Sequence, residues 1–122
     1  MIGYVTLGTN DFQRAAKFYD DLLGLLGGKR AMEMDRFIAW ASQPNAPMVS
    51  IIKPFDGKAA TVGNGIMVAL AASSKKQVDD VYAMAIALGG KDEGKPGPRG
   101  DGFYAGYFRD LDGNKLNIFF MG

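Results

Sequence analysis

The sequence predicts an α+β fold built from two copies of one strand-helix-strand-strand unit, and two observations carry that expectation. The first is a repeat. Around Tyr4 the chain reads Tyr-Val-Thr-Leu, then Asn10-Asp-Phe-Gln13, then an apolar stripe ending at Gly27-Gly28-Lys29. Around Met67 it reads Met-Val-Ala-Leu, then Ser74-Lys-Lys-Gln77, then a second stripe ending at Gly89-Gly90-Lys91. Tyr4 matches Met67, Gln13 matches Gln77 and Gly27 matches Gly89, at offsets of 63, 64 and 62 residues, so about half the chain is said twice. The second observation is the change of period inside each copy. A two-residue alternation gives way to helical spacing, and each helical stretch is closed by a glycine pair.

The elements follow in order. Residues 2 to 8 alternate, with Val5 and Leu7 on one face and Tyr4 and Thr6 on the other, the pattern of a half-buried strand. Asn10 and Gln13 are placed as a capping box, and Phe12, Ala15, Ala16, Tyr19, Leu22, Leu23 and Leu26 form one apolar helix face behind it. Gly27-Gly28 ends that helix by taking the left-handed conformation. Strands are expected over 36–41 and 48–53, joined by a turn holding Pro44, Asn45 and Pro47, and one further short strand is left open. Residues 54–65 read as the connection between copies.

In the second copy, Met67 to Ala71 is the opening strand. Ser74 and Gln77 start a helix with Val78, Val81, Tyr82, Ala85 and Leu88 facing inward. Residues 91–102, rich in glycine and interrupted by Pro96 and Pro98, read as an irregular loop. Strands over 103–109 and 115–121 then flank the turn Asp110-Leu-Asp-Gly-Asn114.

Composition bounds the function. At 122 residues and 48% hydrophobic content the chain makes one domain, 1–122, with internal modules of about 1–56 and 64–122. Fourteen basic residues oppose thirteen acidic ones without long runs, so there is no footprint for nucleic acid or an anionic membrane. A small molecule or another protein is the expected partner. No basic stretch precedes an apolar run and no segment approaches the ~20 apolar residues of a membrane span, so a cytoplasmic protein is expected. There is no cysteine and no histidine, which removes thiol nucleophiles, thiolate metal sites and imidazole bases.

The opening strand, the Asn-Asp helix start with Phe18-Tyr19 inside it, and the terminal Tyr107-Phe-Arg-Asp-Leu-Asp-Gly-Asn-Lys115 resemble the glyoxalase, bleomycin-resistance and extradiol dioxygenase (vicinal oxygen chelate) superfamily, including lactoylglutathione lyases. The resemblance spans the chain, and its most specific piece is the Arg109 to Asn114 hairpin. It implies two β-α-β-β-β modules forming a single domain around a shared cleft, commonly as a homodimer. In metal-dependent members, each module supplies one ligand from its first strand and one from its last. Those positions fall here on Tyr4, near Ser50, on Met67 and on Asn117. Phenol, hydroxyl, thioether and amide are poor ligands for the divalent ions that such sites hold, so neither a metal nor another cofactor is expected.

No residue pair is nominated for catalysis. Asp20-Asp21 and Asp79-Asp80 read as solvated helix faces, and Glu33 and Asp35 as an exposed turn. Asp110-x-Asp112-x-Asn114 spaces oxygen donors as a calcium loop does, but Lys115 stands where glycine is required and Met121 where the last carboxylate belongs, so it reads as a turn. Gly63-Asn-Gly65 and Gly97-Pro-Arg-Gly100 lack the context of a phosphate loop. If the four former ligand positions face the cleft, alternation sends Thr6, Met48, Ile52, Ala69, Lys115 and Phe119 with them, and sends Val5, Leu7, Val49, Ile51, Val68, Leu70, Leu116 and Ile118 toward the helices. Arg36, Trp40, Tyr104, Tyr107 and Arg109 are candidates to line or rim the pocket, with packing as the alternative for Trp40 and the tyrosines and a hairpin brace to Asp110 or Asp112 for Arg109. The leading expectation is a metal-free protein holding an aromatic or planar small molecule. The alternatives are a lactoylglutathione lyase-like enzyme working without the usual ligands, and a structural or regulatory homodimer with a filled cleft.

Overall fold

A computed structural model describes all residues from Met1 to Gly122. The chain divides into two compact units, Met1–Thr61 and Val62–Gly122. In the first, β1 (Tyr4–Gly8), α1 (Phe12–Gly24), β2 (Lys29–Met34), β3 (Phe37–Ala41) and β4 (Met48–Ile52) form a β-α-β-β-β unit with sheet order β1-β4-β3-β2. In the second, β5 (Val68–Ala71), α2 (Lys75–Ala87), β6 (Lys91–Pro98), β7 (Phe103–Arg109) and β8 (Lys115–Met121) repeat it with order β5-β8-β7-β6. In each, the first strand runs parallel to the last, and the remaining pairs are antiparallel. No helix is long and apolar enough to cross a membrane.

The glycine pairs close both helices by one device. Gly27 (φ 78°) and Gly89 (φ 102°) take the left-handed conformation. The amide of Gly28 then returns to the Leu23 carbonyl and that of Gly90 to the Ala85 carbonyl, each at 2.8 Å. A Cβ on Gly90 would stand 2.7 Å from the Ala85 oxygen and 2.8 Å from the Arg109 oxygen, so only glycine lets α2 end this close to β7.

Each helix packs on one face of its own sheet. In the first unit Ala15, Ala16, Phe18, Tyr19, Leu22 and Leu23 are buried with Leu7, Ile38, Trp40 and Ile51. Val78, Val81 and Ala85 are buried with Leu70, Phe108, Leu116 and Ile118 in the second. The predicted helix-facing parity of the strands is therefore the observed one.

Two expectations are corrected and one left open is filled. The cap of α1 is Asp11, which accepts from the Arg14 amide, and not Asn10. Asn10 instead brackets the connecting segment, accepting from the Ala60 amide at 2.6 Å and donating to the Ala60 carbonyl at 3.1 Å. The strand left open is β2, which carries no buried residue. Residues 91–98 are not loop but the edge strand β6, bent by irregularities between Asp92 and Gly94 and between Gly94 and Gly97. Pro96 and Pro98 are tolerated there because an edge strand spares some amides from the ladder, and the missing side chain of Gly106 leaves room for Pro96 and the Tyr82 ring.

Carboxylates read as solvated turn out to be partnered. Asp20 accepts from the Trp40 indole at 2.9 Å and pairs with Arg30, whose guanidinium holds the carboxyl below its ordinary range. Asp79 accepts from the Tyr104 hydroxyl at 2.7 Å. Across α2 and β6, the Tyr82 hydroxyl donates to Asp92 at 2.7 Å, and burial together with this bond pushes the Tyr82 phenol up to about 12. A phenol with a higher pKa folded than unfolded stabilises the fold below its unfolded value of about 10, and that contribution is lost as the pH rises through about 12. Melting temperature is therefore expected to fall between pH 10 and 12, and to fall less steeply in Tyr82→Phe.

Candidate functional site

The face of each sheet turned away from its helix carries the strand side chains that do not pack under α1 or α2. In the first unit this face carries Tyr4, Thr6, Met48, Ser50 and Ile52, because Tyr4 pairs with Met48, Thr6 with Ser50 and Gly8 with Ile52 in parallel register. Phe37 and Ala39 join them opposite Ile52 and Ser50. Ser50 is fully buried, and its hydroxyl donates to the Val5 carbonyl at 2.5 Å, tying β4 to β1. Tyr4 lies edge-on to Phe37 with centroids 5.8 Å apart. Beside the β3–β4 turn, a shallow cavity of about 550 Å³ is lined by Lys29, Arg30, Ala41, Asn45 and Met48, away from Ser50.

In the second unit the corresponding face carries Ala69, Ala71, Lys115, Asn117 and Phe119, with Ala105, Tyr107 and Arg109 opposite the last three strand positions in reverse order. Asn117 is 2% exposed, and its Oδ1 has no hydrogen-bond partner. Tyr107 stands directly opposite it across the β7–β8 ladder. The Lys115 ammonium lies 5.7 Å from the Tyr107 ring centroid and the Arg99 guanidinium 5.6 Å from it. Arg109 is not braced by Asp110 or Asp112. It pairs with Glu93 at 2.7 Å and donates to the Gly113 carbonyl at 2.8 Å.

The sequence-nominated residues thus separate. Asn117, Tyr107 and Arg109 share one face, and Tyr4 and Ser50 share the equivalent face of the other unit. Met67 precedes β5 and is exposed. Trp40 is 2% exposed among the residues under α1, and Tyr104 points to α2 through its bond to Asp79, so neither reaches a helix-free face. Arg36 caps the edge of the first sheet, donating to the Lys53 carbonyl at 2.9 Å beneath the exposed Phe55 ring. Arg99 is the residue that sequence reasoning passed over. Its only signal was its place in Gly97-Pro-Arg-Gly100, a motif without phosphate-loop spacing.

No group of three His, Cys, Asp or Glu side chains comes together to hold a metal ion. The four positions that the resemblance assigns to metal offer a phenol, a hydroxyl already spent on a backbone carbonyl, a thioether and an amide. That donor set does not fit a divalent ion.

Against known proteins, the family model of the glyoxalase/bleomycin resistance protein/dioxygenase superfamily matches residues 1–118. The chain belongs to this superfamily. Among solved structures, a glyoxalase/bleomycin resistance protein from Albidiferax ferrireducens T118 is 38% identical with a TM-score of 0.90, the match covering 98% of this chain and 97% of that one. A glyoxalase-related enzyme from Fulvimarina pelagi is 21% identical with a TM-score of 0.76, covering 98% and 87%. A lactoylglutathione lyase from Agrobacterium tumefaciens is 21% identical with a TM-score of 0.70, covering 98% and 92%. The last two likenesses are of fold alone. No curated protein matches the sequence significantly.

Proposed function

We propose that this superfamily member binds a small aromatic or planar molecule without a metal, on a helix-free sheet face, and does so as a homodimer. The single observation that carries the reading is Asn117. A buried amide oxygen without a partner costs about 1–3 kcal/mol, and a ligand donor would recover that cost. Tyr107 beside it offers a flat surface for stacking. The donor set at Tyr4, Ser50, Met67 and Asn117 supports the absence of metal. Exposed Tyr4, Met32 and Met34 on the first unit give a second copy apolar surface to cover.

The reading is tested by thermal melting and by titration with an aromatic compound library. Asn117→Leu is expected to raise stability by about 1 kcal/mol, by removing the unpaired oxygen, while weakening ligand binding about tenfold or more. Zinc or nickel should give no stabilisation beyond about 1 kcal/mol. A loss of stability in Asn117→Leu with ligand binding unchanged sinks the proposal, as does stoichiometric metal. Turnover of a hemithioacetal that disappears in Tyr4→Phe would move the assignment to a metal-independent lyase. Light scattering reads the dimer directly, and a monomer at micromolar concentration removes that part.

A further inference from the structure

We infer that the helix-free face of the second unit selects a ligand bearing a negative group, a carboxylate or a phosphate, held between Arg99 and Lys115 over the ring of Tyr107. The inference rests on the small-molecule reading above and adds the charge class of the molecule.

Two cations share one ring. Arg99 and Lys115 approach Tyr107 at 5.6 and 5.7 Å, and neither pairs with a carboxylate. Each gains something from the ring, but two like charges on one aromatic repel, and a neutral ring does not discharge them. The neighbouring acid is already taken, since Glu93 is paired with Arg109 on the same face. The Arg99 guanidinium is moreover fixed in place. It donates to the Lys95 carbonyl at 2.6 Å and the Pro98 carbonyl at 3.3 Å, both neutral acceptors that anchor the group without cancelling its charge.

The glycines of β6 make this position possible. A Cβ at Gly97 would stand 3.1 Å from Arg99 Nη1, and one at Gly94 would stand 3.4 Å from Nη2 and 3.3 Å from the Tyr107 ring. The guanidinium therefore lies back along the strand in the space that two missing side chains leave. Asn117, opposite Tyr107 in the ladder, adds the second and independent element: a buried oxygen that requires an N–H or O–H from whatever covers it. An anionic group on a planar molecule answers the two cations, and a donor on the same molecule answers the Asn117 oxygen. Both anion classes suit the site, because a guanidinium and an ammonium each bind carboxylate and phosphate by charge-assisted hydrogen bonds.

The test uses the full chain with benzoate, inorganic phosphate and methyl benzoate, followed by NMR shifts of the Asn117 side-chain amide and the Tyr107 and Lys115 backbone amides. Benzoate or phosphate should shift these signals saturably, and the affinity should fall as salt rises from about 0.05 to 0.5 M. Which of the two binds tells a carboxylate ligand from a phosphate one. Methyl benzoate, which removes the charge of benzoate without adding a donor, should bind about tenfold more weakly. Arg99→Gln should weaken anion binding about tenfold with the melting temperature nearly unchanged, since Arg99 is exposed. Gly97→Val should do the same by dislodging the guanidinium without altering any charge. If that variant is unstable, Arg99→Gln decides alone. Methyl benzoate binding as well as benzoate overturns the charge class while leaving the small-molecule reading intact. Undiminished anion binding in Arg99→Gln, or no shift with either anion, overturns the inference whatever the compound library shows.

Discussion

Phe108→Ala is expected to lower the unfolding free energy by about 4 kcal/mol, read from urea denaturation followed by circular dichroism. The side chain has no exposure, and it stands opposite Leu116 on the face of the second sheet that packs against α2. Val78, Val81, Leu116 and Ile118, all fully buried, line the same layer. Removing the ring leaves a cavity that those branched side chains can close only in part, so the loss of transfer free energy and the cavity cost add. Phe119→Ala is the matched control. Its ring is on the opposite face, half-exposed and stacked on Phe103 at 5.4 Å, and its loss should cost about 1–2 kcal/mol. Equal costs for the two phenylalanines would mean that the assignment of helix-packed and helix-free faces is wrong, and the candidate site would fall with it.

That assignment was legible in the sequence because strand parity and helix spacing are local signals. The glycine pairs were legible for the same reason, as each needs only its own left-handed residue to close the helix. What failed depended on distant partners. Asn10 and Asp11 are both good caps, and the choice between them follows from Ala60, which occupies Asn10 from fifty residues away. The edge strand β6 has no hydrophobic alternation, and its glycines and prolines are acceptable only because β7 supplies the pairing and Gly106 the room. Likewise β2 buries nothing, so nothing in its composition announces it. At the site, strand parity puts Trp40 with Ile38 under α1 and Tyr104 with Phe108 under α2, on the faces opposite Ser50 and Tyr107. Those orientations are held by Asp20 and Asp79, helix carboxylates that read as solvated. The unpaired state of Asn117 and the placement of Arg99 are properties of assembled strands, and no spacing encodes them.

Asp110→Ala should cost about 3 kcal/mol and disturb the candidate site beyond the turn itself. Asp110 is 6% exposed, and its Oδ1 accepts from the amides of Asp112 and Asn114, each at 2.9 Å, while Oδ2 accepts from the Asn114 side-chain amide at 2.9 Å. Alanine removes the acceptor of all three bonds, two of whose donors are on the buried Asn114, and the cost of unpaired buried groups exceeds the net worth of the bonds that they make. Asp110→Asn keeps an oxygen for the two backbone amides and should lose about half as much. The two backbone amides fix the curvature of the β7–β8 connection, with Gly113 at φ 91° completing it. The first residue after this connection is Lys115, and Asn117 follows two positions later on the same face. A turn released from Asp110 therefore frays the ladder from the Arg109–Lys115 pair inward. NMR should show Lys115 and Asn117 shifting in Asp110→Ala while Leu70 and Val78 hold their positions. Shifts confined to residues 110–114 would instead mean that the hairpin is only a closure, and that the most recognisable stretch of this sequence does not position the face it leads into.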